Sequence, residues 1–216
     1  MPDYHSKFEI DNYYHIFNRG NNKEDIFKST DNYIYFLQKW NKYIAPFADT
    51  LAYCLLPNHF HFLMRVKAVN AKNLTKTQRL SKVGEVQETQ IEVNTILEEQ
   101  FKRLFMSYAL SFNKQHNRTG SLFQKSFRRI QVNSDYYLTR LIHYIHHNPI
   151  HHQFVKEYSQ WKFSSYNAFI SKETTRLNRD EVHSWFGGKG AFIEFHNQNL
   201  ELNEPDKELK NYVVDF

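Results

Sequence analysis

Two histidines one residue apart, His59 and His61, stand inside the run Leu55-Leu56-Pro57-Asn58-His59-Phe60-His61-Phe62-Leu63-Met64. In an extended strand, side chains alternate between faces, so His59 and His61 share one face while Phe60, Phe62, Met64 and Val66 take the other. Two imidazoles on one face can share a metal ion, each giving one ring nitrogen while the second nitrogen is oriented by a neighbour. The same spacing also fits a hydrogen-bonded or solvent-facing pair. Chemistry needs a further ligand and a reactive group, and Tyr144 and Asn148, four apart and just ahead of Pro149, share a helix face. On a helical wheel Tyr144 lies roughly 100° from the centre of the apolar stripe Leu138, Leu141, Ile142 and Ile145. A tyrosine at that flank either looks into a cleft or covers the core boundary. Tyr108 is the competing nucleophile, but it falls in the row Phe101, Leu104, Phe105, Tyr108, Phe112, which predicts a ring packed against a sheet. His143, His146, His147, His151 and His152 gather near the end of the Tyr144 helix, and their scatter around its axis predicts a mainly surface position. Gly187-Gly188-Lys189-Gly190 lacks the phosphate-loop spacing and reads as a turn.

The elements that position these residues follow from local pattern. Tyr13 to Phe17 is rich in aromatic and branched residues and runs into Asn18-Arg19-Gly20-Asn21-Asn22, a strand then a turn. Ser29, Thr30 and Asp31 offer caps for a helix whose stripe is Tyr33, Phe36, Leu37, Trp40 and Ile44. Strands over Thr50–Leu55 and His59–Val66 are joined by a Pro57-Asn58 turn as a hairpin. Lys67 to about Glu92 is polar and without apolar period, an insertion or loop. A helix follows over Val93–His116, then a strand over Leu122–Val132, and then a helix from the Asn133-Ser134-Asp135 cap that Pro149 stops. One or two short helices are expected beyond Trp161. Strand, helix, strand, strand, helix, strand, helix is the order of an α+β sandwich with helices on a mostly antiparallel sheet.

Composition narrows the partners of such a domain. The chain has 216 residues, 41% of them hydrophobic, with a mean hydropathy of -0.70 and no apolar run near the ~20 residues that span a bilayer, so a membrane-spanning protein is not expected. The first residues, Met1-Pro2-Asp3-Tyr4-His5, do not read as a signal peptide. Cys54 is the single cysteine, which excludes an intramolecular disulfide and fits a reducing cytoplasm. Formal charge is +5 and aromatics reach 17%, and basic charge with stacking rings points first to single-stranded nucleic acid. The charge is organised: Gln100 to Ile130 holds Lys102, Arg103, Lys114, Arg118, Lys125, Arg128 and Arg129 without one Asp or Glu, while the end of the chain is acidic. A solvated basic helix face gives the same count.

Five motifs in order resemble the REP-associated tyrosine transposases, relatives of the single-tyrosine HUH transposases that act on single-stranded DNA. They are Asn18-Arg19-Gly20-Asn21, Leu56-Pro57-Asn58-His59-Phe60-His61, Arg118-Thr119-Gly120-Ser121-Leu122-Phe123-Gln124, Tyr144-Ile145-His146-His147-Asn148-Pro149-Ile150 and Trp161-Lys162-Phe163-Ser164-Ser165-Tyr166. The resemblance covers about Tyr13 to Tyr166. It implies a ferredoxin-like α+β core as a catalytic domain over residues 1–170, while the 67–92 insertion and a helical extension expected over 171–216 depart from the family's usual short form. It further implies a divalent metal, Mg²⁺ or Mn²⁺, held by His59, His61 and Asn148, and Tyr144 as nucleophile in cleavage and rejoining of DNA beside short hairpins through a 5′-phosphotyrosine. Arg19, Lys114, Arg118, Lys125, Arg128 and Arg129 are the expected DNA-binding set. The expected setting is the cytoplasm, at the nucleoid, as a monomer or a homodimer. A hairpin-binding module with a degenerate site, and a metal-dependent hydrolase in which water attacks, are the other two readings.

Overall fold

The computed structural model describes residues 4–68 and 93–198. Strand β1 (Tyr13–Arg19) leads through a 3-10 turn to helix α1 (Thr30–Tyr43), the hairpin β2 (Ala48–Leu56) and β3 (His59–Val66), helix α2 (Val93–Gln115), strand β4 (Arg128–Val132) and helix α3 (Asp135–His151). Three short helices follow, α4 (Tyr166–Ile170), α5 (Arg179–Phe186) and α6 (Lys189–Asn197). The sheet order is β2-β3-β1-β4 with every neighbour antiparallel. β1 and β2 therefore run parallel with β3 inserted between them, the split βαβ arrangement of a ferredoxin-like core. The α+β sandwich read from the order of elements is the fold of the chain.

Alternation along the strands sorts the two faces. Tyr14, Ile16, Phe60, Phe62 and Met64 meet Phe36 and Trp40 of α1 and Leu97, Phe101 and Leu104 of α2 in one core. Trp40 stacks on Phe62 with ring centroids 3.7 Å apart, and its indole N–H donates to Thr50 Oγ1 at 2.9 Å, so the ring is buried with its polar end satisfied. On the other face Leu51, Ala52, Cys54, Leu56 and Leu63 meet Leu138, Leu141, Ile142 and Ile145 of α3. Val182 of α5 and Phe192 of α6 complete that second core, and Arg65 of β3 pairs with Glu181 of α5 at 2.7 Å. Residues 171–198 thus share a core with the sheet.

Both sheet edges are covered, which removes the unpaired strand that invites aggregation. Backbone bonds from Leu55 N to Phe163 O and from Ser165 N to Tyr53 O close β2, and Arg129 N donates to Tyr4 O across β4.

Three expectations need correction. The strand expected from Leu122 begins only at Arg128: residues before it turn irregularly, with Ser126 at φ 61, so Lys125 is not on a strand. The helix expected to stop at Pro149 runs on to His151. Proline lacks one amide hydrogen, and in the last helical turn few ladder bonds remain to be lost. The histidines expected at the surface are partly core, since His143 and His146 are buried beneath the C-terminal helices. Most of the polar insertion, 69–92, and the acidic end, 199–216, lie outside the described residues.

Candidate nuclease site

β3 and α3 bring the two halves of the predicted site together. His59 and His61 lie on the α3 side of the sheet, and the Tyr144 ring stands edge-on to His61 with centroids 5.5 Å apart and planes at 82°. All three side chains, and Asn148, are buried. One helical turn links the last two residues: Asn148 Nδ2 donates to the Tyr144 carbonyl at 2.8 Å. The carbonyl that Pro149 leaves without its ladder donor is that of Ile145, so this bond is an additional one in the same turn.

The donor set suits a cation. His59 Nδ1 lies 2.6 Å from Asn58 Oδ1, an oxygen that can only accept, so His59 carries its proton on Nδ1 and presents a lone pair on Nε2. Asn148 is hydrogen-bonded to the same ring, and its amide carries an oxygen beside the NH₂ that serves the Tyr144 carbonyl. Burial pushes the His59 pKa down to about 3, with His152 and Arg19 adding to the shift, so the ring is neutral at neutral pH. Burial also holds His61 well below the ordinary histidine value, with His15 and His59 contributing. Among the described residues no group of three or more His, Cys, Asp or Glu is placed to hold a metal. The third ligand of a site here would be the Asn148 amide oxygen, a donor suited to a hard divalent ion beside two imidazoles.

The expected DNA-binding residues separate into different roles. Arg19 pairs with His59 across the sheet, and Arg128 pairs with Phe17, which itself pairs with His61. Both arginines therefore lie on the site face, and burial followed by repulsion from Arg128 lowers the Arg19 pKa. Lys114 and Lys125 are exposed. Gln124 N donates to Arg19 O at 2.9 Å, which keeps Lys125 at the site end of β1. Arg129 instead faces the α2 layer and is buried, bonded to Glu98 at 2.6 Å, Ser6 O at 2.6 Å and His5 O at 3.4 Å. Arg118 is tied to Glu24 at 2.9 Å, Asn113 Oδ1 at 3.1 Å and Ser121 O at 3.0 Å. These two charges hold the protein together, a role that a count of basic residues does not distinguish from phosphate binding.

The competing tyrosine is on the wrong side of the sheet. Tyr108 is buried in the α1–α2 core and donates its hydroxyl to the Ile26 carbonyl, and burial raises its pKa. Sequence reasoning missed His15, which sits on the site face of β1 with its ring 6.3 Å from that of Tyr144. The signal was available: His15, Phe17 and Arg19 alternate on one face of β1.

The sheet thus carries two histidines on β3 and faces a tyrosine on α3, the residues that two of the five motifs supply. No family model matches the chain. It is 28% identical, over 127 residues and 58% of its length, to a protein of Haemophilus influenzae named as a REP-associated tyrosine transposase, of whose length the match spans 62%. It is also similar in structure to a REP-associated tyrosine transposase bound to a REP hairpin, with a TM-score of 0.50, 14% identity and coverage of 80% of this chain and 87% of the other. At that identity the second likeness is one of fold. Both relatives carry the family name that the motifs suggest.

Proposed function

We propose that this protein is a REP-associated tyrosine transposase, a strand transferase that binds hairpin-bearing single-stranded DNA, cleaves it beside the hairpin and rejoins it. The observation that carries the reading is the convergence of His59, His61, Asn148 and Tyr144 in one buried cluster between β3 and α3. The Tyr144 hydroxyl attacks phosphorus, forming an Oη–P bond as the bond from phosphorus to the 3′-oxygen breaks. The phenol gives up a proton and the departing 3′-oxygen takes one, so a 3′-hydroxyl and a 5′-phosphotyrosine result. Bond energy is retained in the phosphotyrosine, and rejoining needs no nucleotide triphosphate. A divalent ion on His59, His61 and Asn148 would supply Lewis-acid stabilisation of the phosphodiester's developing charge. Arg19 and Arg128, on the same sheet face, hold the strand by its phosphates, and exposed Lys125, at the site end of β1, extends that grip. The setting of the reaction is the nucleoid.

The ligand histidines give the test. His59→Ala and His61→Ala abolish cleavage of a labelled single-stranded hairpin in Mn²⁺ while leaving its binding within a few-fold of the parent. Full cleavage by either variant would overturn the assignment of ligands.

A further inference from the structure

His15 is a third imidazole on the site face, used neither as a proposed ligand nor as nucleophile. Its Nε2 lies 2.9 Å from Nδ1 of His61, and the two rings are stacked with centroids 5.1 Å apart and planes at 22°. His15 is also held by Phe17, with centroids 4.7 Å apart. Both histidines are fully buried, where charged imidazolium is disfavoured. A hydrogen bond between two neutral imidazoles has two forms, and the form decides the far nitrogen of His61. If His61 Nδ1 donates, its Nε2 is a lone pair. If His61 Nδ1 accepts, its Nε2 carries hydrogen and cannot bind a cation.

We propose that His15 is a positioning residue that accepts the hydrogen bond from His61 Nδ1 and so holds His61 in the tautomer whose Nε2 can ligate a divalent cation. The inference rests on the metal-site reading above and gives it a cause. His59 is set in the same sense by a different partner, the Asn58 amide oxygen at 2.6 Å. Both orienting groups are neutral, where metal-bound histidines commonly lean on a carboxylate. A site built this way keeps the whole charge of its cation for an anionic ligand, which suits a phosphodiester.

The experiment reads the proton itself. In metal-free protein labelled with ¹⁵N-histidine, long-range NMR couplings report which nitrogen of His61 is protonated. The expected result is Nδ1–H in the parent and a shift toward Nε2–H in His15→Leu, with the fold checked by circular dichroism. Calorimetry with Mn²⁺ is expected to show affinity falling about ten- to a hundredfold in His15→Leu, and largely restored in His15→Gln, whose Oε1 can accept in place of Nε2. Nε2–H in the parent, or parental Mn²⁺ affinity in His15→Leu, overturns the proposal. Nδ1–H in the parent with no Mn²⁺ uptake by the parent supports the hold of His15 on the tautomer and overturns the metal reading instead.

Discussion

Two adjacent arginines of β4 give opposite predictions. Arg129 donates to Ser6 O at 2.6 Å, His5 O at 3.4 Å and Glu98 at 2.6 Å, and its guanidinium lies 4.6 Å from the centre of the Phe8 ring. Arg129→Ala removes all of these. Its side chain is 9% exposed, but that of Glu98 is 48% exposed, so the carboxylate returns to water and the ion pair itself contributes only about 1 kcal/mol. The bonds to the two carbonyls and the contact with Phe8 add about 1–2 kcal/mol together. A net loss of about 2–3 kcal/mol lowers the unfolding temperature by roughly 5–10 °C in a chain of this length. DNA binding by the folded variant keeps its salt dependence. Arg128→Ala reverses the pattern. Arg128 is half-buried, lies over the Tyr4 ring at 5.1 Å and repels Arg19, so its removal changes stability by less than about 1 kcal/mol. The slope of log affinity against log salt falls by about 0.7–0.9, the share of one phosphate contact. The assays are thermal unfolding by circular dichroism and a salt series with a labelled single-stranded hairpin. An unchanged unfolding temperature in Arg129→Ala, together with a shallower salt slope, would refute the division of roles between the two residues.

Two further perturbations probe the frame of the site. A Cβ on Gly20 would lie 2.1 Å from the backbone oxygen of Glu24, and Gly20 N is bonded to Asn58 O at 2.8 Å, so Gly20→Ala costs about 1–3 kcal/mol. Urea unfolding at parental stability would contradict this. Burial pushes the pKa of His143 down to about 3 and that of His196 down to about 4. The unfolded chain takes up these protons near pH 6.5 and the folded chain does not, so stability is full above about pH 6.5 and falls as pH drops toward about 4. His196 alone accounts for up to about 3 kcal/mol of that loss, and His196→Gln makes the fall shallower. Equal pH slopes for variant and parent would show that the His196 side chain is not the group responsible.

Period two on β3 and periods of three and four on α1, α2 and α3 made the sheet faces legible, because each face buries a continuous apolar row. The same alternation placed His59 and His61 together, and helical spacing placed Tyr144 beside Asn148. What escaped the sequence depended on contacts between distant segments. His146 is buried because its Nδ1 meets His196 Nε2 at 2.9 Å and its Nε2 meets Ser165 Oγ at 2.7 Å, partners 50 and 19 residues away. Arg129 and Arg118 looked like free cations because Glu98 and Glu24, their partners, lie outside the acid-free stretch. Pro149 was read as a stop from the local rule alone, whereas the helix runs through it to His151 and closes with His152 N bonded to Asn148 O at 3.0 Å.

The central claim is that the Tyr144 hydroxyl becomes bonded to DNA. Incubating the protein with end-labelled single-stranded hairpin DNA and Mn²⁺, then separating products under denaturing conditions, measures it directly. The account predicts a protein–DNA adduct in the parent and in Tyr108→Phe, and none in Tyr144→Phe. Cleavage without any adduct, or an adduct that persists in Tyr144→Phe, would contradict it.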